Sequence, residues 1–331
     1  MAIENAVKRV VIAAAGIASI VLGTAATAQD AFPSKPVRFV VPFAAGGALD
    51  YVARLMGDTM GKQSGVKVVV DNRAGGSGVI ASEHVAKSAP DGYTVFVTNM
   101  DTHVNNLGMF KSLPYDPIRD FQPLGVVVSA AAMLVSNASV PATNLQEFVN
   151  YAKSQQGGLS FGTWGNGSYS HLCGESFAKV NSLKVNTIPY KGETPLLQDL
   201  LGGNLASGMA SVLVAKGYVA KGQMKVYAVN GPQRNPLMPE VPTFRELGYT
   251  DPVLTMLSWF GAYAPAKTPR PVADRLNGLI RETLANADVS KSLSEKGFIP
   301  VGGSIAEHEA TLRSQIPVIT KIMRDIGIEP Q

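Results

Sequence analysis

Three times along this chain an apolar strand runs into a glycine-bearing turn and then into a helix, and this repetition restricts the chain to an α/β architecture. The first instance spans Val37 to Asp50 and beyond. Val37, Phe39 and Val41 alternate as a strand does, while Leu49, Val52, Ala53, Met56 and Met60 recur at helical spacing. Pro42-Phe43-Ala44-Ala45-Gly46-Gly47 lies between them. The paired glycines let the chain turn sharply and leave bare N–H groups at the helix start. Those donors, reinforced by the helix dipole, suit an anion such as a carboxylate. Glycines that merely join a strand to a helix give the same pattern.

The second instance is a strand over residues 159–161, a loop Gly162-Thr163-Trp164-Gly165-Asn166-Gly167-Ser168, and a helix over residues 169–180. Ser168 is placed to be either an N-cap or a ligand donor. The third is a strand over residues 185–189, the turn Tyr190-Lys191-Gly192-Glu193-Thr194, and a helix over residues 195–201. Pro195 suits the first helical position, with Thr194 before it as cap.

The segments between extend the pattern. Residues 66–70 form a β-branched strand, Asp71 to Gly78 a glycine-rich loop, and a helix runs through about Lys87. Pro90-Asp91-Gly92 turns into a strand over residues 93–98. This β-α-β-α-β order predicts a largely parallel sheet covered by helices. The apolar run 124–135 exceeds an ordinary strand and suits a crossing between two lobes, and residues 258–265 are the second crossing candidate. Asn144 caps a helix through about Ser154, residues 225–229 form another strand, and helices over 272–285 and 305–326 close the chain. A first lobe of residues 29–128 and 255–331 is therefore expected, with a second lobe of 129–254 inserted into it.

The first residues read as an export signal over 1–28: Lys8 and Arg9, an apolar run 10–23, then Ala26-Thr27-Ala28 as an A-x-A cleavage site. The apolar run is too short to span a bilayer comfortably, and the mature chain is expected to begin at Gln29. No cysteine follows the cleavage site to carry a lipid, and Cys173, the single cysteine, reads as a small buried apolar residue. An exported, soluble periplasmic protein is the expectation.

Several chemistries lack their residues. Net charge is +4 with no basic run, which argues against nucleic acid. Gly76-Ser77-Gly78-Val79-Ile80-Ala81 matches G-x-G-x-x-A, but the acidic residue of a dinucleotide site is missing from the end of the next strand. No G-x-S-x-G elbow is present, and Ser168 with His171 has no orienting carboxylate. His84, His103, His171 and His308 form no metal-ligand pair; His103 and His171 follow candidate ligand loops and are pocket candidates. Glycine loops before helices in two lobes, without a catalytic set, point to capture rather than reaction.

The sequence also resembles a known family. Phe32-Pro33-Ser34-Lys35-Pro36-Val37-Arg38 followed by Val41-Pro42-Phe43-Ala44-Ala45-Gly46-Gly47 is similar to the start of mature Bug-family proteins, the periplasmic solute receptors of tripartite tricarboxylate transporters. The likeness continues through Asn72-Arg73-Ala74-Gly75-Gly76-Ser77-Gly78, Pro90-Asp91-Gly92-Tyr93-Thr94 and Leu113-Pro114-Tyr115-Asp116-Pro117. It resumes at Gly165-Asn166-Gly167-Ser168 with His171-Leu172, Pro189-Tyr190-Lys191-Gly192 and Asp199-Leu200-Leu201-Gly202-Gly203. It ends with Val241-Pro242-Thr243 and Trp259-Phe260-Gly261-Ala262-Tyr263-Ala264-Pro265.

The resemblance implies a two-lobed type II periplasmic-binding (Venus-flytrap) fold: two mixed or parallel sheets flanked by helices, a hinge of two crossing strands, and a ligand cleft between the lobes. It implies a small carboxylate ligand, integral-membrane transporter subunits as partners, no enzyme activity, no cofactor and a monomer. Carried onto this chain, the first-lobe contacts are Phe43, Ala45, Gly46, Gly47, Asn99 and Asp101. The second-lobe contacts are Thr163, Trp164, Asn166, Ser168 and Tyr169, with Tyr190 and Lys191; Tyr190-Lys191-Gly192 is also readable as a plain β-to-α turn.

Two departures bear on the ligand. After Gly202-Gly203 many relatives carry aspartates, whereas residues 204–211 here hold no acid, so an acidic amino acid is not expected. Trp164 stands where relatives often have a small polar residue, either stacking on an apolar ligand body or packing at the lobe interface. An aromatic or medium-chain mono- or dicarboxylate is the expected ligand. The other roles open at this stage are a ligand-sensing receptor for a membrane signalling partner and a hydrolase acting on a carboxylate ester.

Overall fold

A computed structural model describes residues 32–330, so the signal segment 1–28 and the start at Gln29 lie outside the described residues. In chain order the elements are β1 (Val37–Val41), α1 (Ala48–Ser64), β2 (Val68–Asn72), α2 (Val79–Ala86), β3 (Thr94–Asn99), α3 (Asn106–Met109), β4 (Phe121–Ala130) and β5 (Ala132–Asn137). Then come α4 (Leu145–Ser154), β6 (Leu159–Thr163), α5 (Tyr169–Asn181), β7 (Val185–Pro189), α6 (Glu193–Leu201), β8 (Ser207–Ser211), α7 (Val212–Ala220) and β9 (Met224–Val229). The chain closes with α8 (Pro252–Thr255), β10 (Ser258–Pro265), α9 (Arg270–Ala285), α10 (Ala287–Ser294), β11 (Phe298–Pro300) and α11 (Ile305–Asp325).

The strands sort into two mixed sheets flanked by helices, the two-lobed fold that the sequence pattern implies. The first sheet runs β11-β4-β10-β3-β1-β2 and the second β7-β6-β8-β5-β9. In the first, β1 is parallel to β2 and β3, whereas β10 is antiparallel to β3 and β4. In the second, β6 is parallel to β7 and β8, and β5 is antiparallel to β8 and β9. Strands covered by helices on both faces need apolar residues on both faces. Val40 and Val41 in β1, and Val95, Phe96 and Val97 in β3, are accordingly buried. On α1 the helical-period residues Val52, Ala53, Met56 and Met60 are buried. Each larger side chain of that face stabilises the fold by about 1.5–3 kcal/mol.

The long apolar run 124–135 is two strands rather than one. β4 belongs to the first sheet, β5 to the second, and only Ala131 separates them. The return differs from expectation. β10 does not cross: it lies wholly in the first sheet, with Ser258 opposite Ala130 and Phe260 opposite both Asn99 and Val128. The chain comes back through residues 230–257, largely irregular and pinned to the second sheet by the Val229–Thr243 bridge. A buried strand and an irregular crossing are both apolar, so composition does not separate them.

Smaller corrections concern element ends. α6 begins at Glu193 with Gly192 as its N-cap, two residues before the expected start, so Thr194 lies inside the helix. α3, α7, α10 and β11 have no counterpart in the sequence reading; all are short, and the periodicity signal needs a longer window. Cys173 is buried as expected, and burial pushes its thiol pKa up.

Candidate functional site

The loop after β1 is held from below by a chain of hydrogen bonds. Gly46, at φ +85°, donates its N–H to Asp50 Oδ2 at 2.9 Å, and Arg54 Nε donates to the same oxygen at 3.0 Å. Arg54 reaches Asn72 Oδ1 at 3.0 Å, and Asn72 Nδ2 donates to the Phe43 carbonyl at 3.0 Å. Burial alone raises the Asp50 pKa, but the donors of Arg54, Gly46 and Asn72 outweigh it and keep the carboxyl below its ordinary value. Asp50 is thus an ionised acid whose charge Arg54 compensates.

The loop after β7 comes to meet this one. Ala44 N–H donates to the Lys191 carbonyl at 3.2 Å, and Thr194 Oγ1 donates to the Ala45 carbonyl at 3.1 Å. Gly192 sits at φ +114°, and a Cβ there would lie 3.2 Å from Phe43 Cβ, so both the backbone angle and the close approach require glycine. Next to it, Glu193 turns a buried carboxylate inward. Ser211 N–H donates to its Oε1, and Ser211 Oγ donates to Oε2 at 3.0 Å. The Ala48 amide, first in α1, also favours the charged form, yet burial dominates and the pKa is pushed up to about 7.

A reciprocal contact lies deeper. Asp101, fully buried, accepts from Asn105 Nδ2 and from the Tyr169 N–H, both at 2.8 Å, and from Asn99 Nδ2 at 2.7 Å. Burial again dominates and pushes its pKa up to about 7. Each half therefore supplies a carboxylate to the first amide of a helix in the other: Asp101 to α5, Glu193 to α1. Helix N-termini carry unpaired donors and partial positive charge, which makes them the natural acceptor sites for these acids.

Between the two loops lies a small cavity of about 50 Å³. Phe43, Trp164 and Phe260 are its aromatic walls, and the junction residues Ala130, Ala131 and Ala132 line it where β4 passes into β5. Its polar lining is Asp50, Asn99, Glu193, Ser211 and Ser258, and no lysine or arginine lines it among the described residues. The Ser258 hydroxyl is buried, with no hydrogen-bond partner among the described residues. Buried polar groups are nearly always paired, so a lone hydroxyl on a residue that lines the cavity is a candidate partner for a ligand atom. Trp164 is held from behind by Nε1 donating to the Met209 carbonyl at 3.1 Å. It packs against both apolar cores as well as lining the cavity, so stacking on a ligand and packing between lobes do not compete.

Of the residues carried over from the resemblance, Phe43, Gly47, Asn99 and Trp164 line this cavity. Others stand behind it. Ala45 accepts from Thr194, and Gly46 borders an outer groove with Tyr51 and Arg54. Asp101 and Tyr169 are fully buried together, and the Tyr169 hydroxyl lies 2.7 Å from the Val253 carbonyl and 2.8 Å from that of Met256. Thr163 Oγ1 donates to the Gly165 carbonyl at 3.3 Å, and Ser168 caps α5 by accepting from His171 N–H. Asn166 is half-buried and outside the cavity lining. Tyr190 donates to Asp199 Oδ2 at 2.6 Å, and Lys191 is exposed. His103 stacks on Tyr263 with ring centroids 3.7 Å apart, and His171 Nδ1 accepts from Gly167 N–H; neither lines the cavity.

Asp50, Glu193, Ser211, Ser258 and Phe260 line the cavity without having been singled out from the sequence. Only Glu193 left a local signal, an acid directly after the third glycine turn. Residues 204–211 hold no acid, as the sequence shows; two acids from elsewhere in the chain, Asp50 and Glu193, line the cavity.

Comparisons with known proteins give the family and the fold. Residues 52–328 match the sequence pattern of the Tripartite tricarboxylate transporter family receptor. The chain is 32% identical to Protein BugT of Bordetella pertussis, over 97% of both chains. It superposes on the solved periplasmic binding protein BugD with a TM-score of 0.87 and 31% identity, covering 91% of this chain and 100% of the other. Against Rpa4515 of R. palustris, solved with adipate, the TM-score is 0.86 at 31% identity, again covering 91% and 100%.

Proposed function

The chain belongs to the tripartite tricarboxylate transporter receptor family, and from that membership we propose that it captures a small carboxylate between its lobes and hands it to membrane transporter subunits. The family consists of binding receptors rather than enzymes. The observation that carries the reading is the cavity itself. The start of a 17-residue helix, three aromatic walls and Ser258, whose hydroxyl has no partner among the described residues, line one small cleft. The amides at the start of α1 have no intrahelical acceptor, and with the helix dipole they favour an anion. Phe43, Trp164 and Phe260 suit an apolar body behind it, which supports an aromatic or medium-chain mono- or dicarboxylate. The relative Rpa4515 was solved with adipate, a linear dicarboxylate.

Two sheets joined through Ala131 and through residues 230–257 support lobe boundaries close to 128 and 255. The two halves would close on the ligand as hinged domains do, excluding water. A periplasmic location and a monomeric receptor follow the same reading, and no helix among the described residues is long and apolar enough to cross a membrane.

Thermal-shift screening of ligand-stripped protein against carboxylates, confirmed by calorimetry, tests the proposal. A ligand that binds only the native state raises Tm by mass action. One carboxylate class should do so without being consumed. Silence across the whole screen, or chemical change of a bound ligand, would end the receptor reading.

A further inference from the structure

The cavity holds two acids and no base, which is an unusual lining for a site that takes an anion. The two acids are not equivalent. Asp50 is matched by Arg54, with Nη2 and Oδ1 2.9 Å apart, so that pair is neutral. Glu193 has only neutral donors around it, Ser211 N–H, Ser211 Oγ and the Ala48 amide, and no cation acts on it. These donors favour its ionised form, but burial outweighs them and lifts its pKa to about 7; they also occupy part of the donor set at the start of α1. What remains for a ligand carboxylate is the next amides of that turn, at Leu49 and Asp50, and the lone Ser258 hydroxyl.

A ligand whose only charges are carboxylates therefore brings negative charge beside Glu193, which must then stay protonated, whereas a cation lets it ionise. Two carboxylates sharing such a site cannot both ionise without a large penalty. A ligand carrying an ammonium removes that conflict, because the cation pairs with Glu193 in a charge-assisted hydrogen bond. Phe43, Trp164 and Phe260 add ring faces that attract a cation.

We propose that Glu193 selects ligands bearing an ammonium as well as a carboxylate, with the ammonium against Glu193 and the carboxylate at the start of α1 and Ser258. The ligand class is then an amino acid or ω-amino acid with an aromatic or medium-length apolar body, and plain dicarboxylates bind worse. This rests on the carboxylate-receptor reading and narrows it. The ammonium partner that residues 204–211 lack is supplied by Glu193, whose carboxyl group lies against Ser211 at the end of that segment.

Calorimetry on ligand-stripped wild-type protein with matched pairs tests it: adipate against 6-aminohexanoate, and 3-phenylpropionate against phenylalanine. In each pair the amine-bearing member should bind at least about tenfold tighter, the effect of one hydrogen bond to a charged group. Glu193→Gln, confirmed folded by circular dichroism, should erase most of that preference. The wild-type comparison stands even if the variant does not fold. The proposal fails if plain acids bind as tightly as their amine partners, or if folded Glu193→Gln keeps the preference. It also fails if adipate binds tightly with uptake of one proton, because a proton then neutralises Glu193 in place of an ammonium. Hits confined to plain acids across the wider screen would sink this proposal and leave the receptor reading intact; no carboxylate hit at all would end both.

Discussion

Replacing Ser258 by alanine separates what the cavity does for the ligand from what it does for the fold. Ser258 opens β10 opposite Ala130 and is 4% exposed, and its Oγ has no partner among the described residues. Most buried hydroxyls cost about 1–3 kcal/mol to remove, because a partner is left unsatisfied. Here no partner exists to orphan, so Ser258→Ala should leave the ligand-free stability within about 0.5 kcal/mol of wild type, or raise it slightly by removing an unpaired polar group. Binding should respond differently. A hydroxyl donating to a carboxylate is a hydrogen bond to a charged group, worth about 1.5–3 kcal/mol. At about 1.4 kcal/mol per tenfold, Kd should rise about 10- to 100-fold. Urea unfolding of the ligand-free protein gives the first number, and calorimetry with the best carboxylate from the screen gives the second. A ligand-free loss above about 1 kcal/mol together with an unchanged Kd would refute the assignment, since the hydroxyl would then serve the fold.

Three further predictions follow from named contacts. Trp164→Leu keeps an apolar wall but loses the ring and its Nε1 bond to Met209, so affinity for aromatic acids should drop about 2- to 10-fold more than affinity for linear ones, measured by calorimetry. Gly174 in α5 faces Phe161, and a Cβ there would lie 2.4 Å from Phe161 Cε1. Gly174→Ala should therefore destabilise the fold by about 1–3 kcal/mol in urea unfolding, and an unchanged midpoint would show that β6 and α5 separate easily. The buried Asp101 holds a proton in the native state up to about pH 7, whereas the unfolded carboxyl releases it near 3.8, so its contribution to stability falls as pH rises through that window. His308, lowered to about 3 by burial, acts oppositely and loses stability as pH falls below 6.5. Asp101→Asn removes the first effect alone, so the wild-type minus variant stability difference should decline between pH 4 and 7; a flat difference would contradict the buried acid.

The local half of this protein is legible in its residues. Period-two alternation over Val37–Val41, glycines at 46 and 47 and helical spacing from Leu49 to Met60 specify β1, its turn and α1 without reference to anything distant. Asn144 and Ser168 mark their helix starts for the same reason, since a cap acts within three residues, and the structure shows both side chains accepting the expected amide. Phe43, Gly47, Asn99 and Trp164, the carried-over residues that line the cavity, all stand at or just after strand ends, and the family resemblance rather than local pattern singled them out.

Sheet membership and the inner face of the cavity belong to tertiary structure. Leu124–Val135 and Ser258–Pro265 are equally apolar, yet one run divides between two sheets at Ala131 and the other stays in one. That choice depends on which edge offers free backbone donors and acceptors, and those lie far away in the chain. Ser258 carries no local mark of a site, and the position of Glu193 after a glycine turn does not say that the two residues share one. They line one cavity because β10 pairs with β4 and because the Ala44 and Thr194 bonds join two distant loops. Periodicity and capping are properties of neighbouring residues, whereas a binding cavity is defined by what long-range pairing brings face to face.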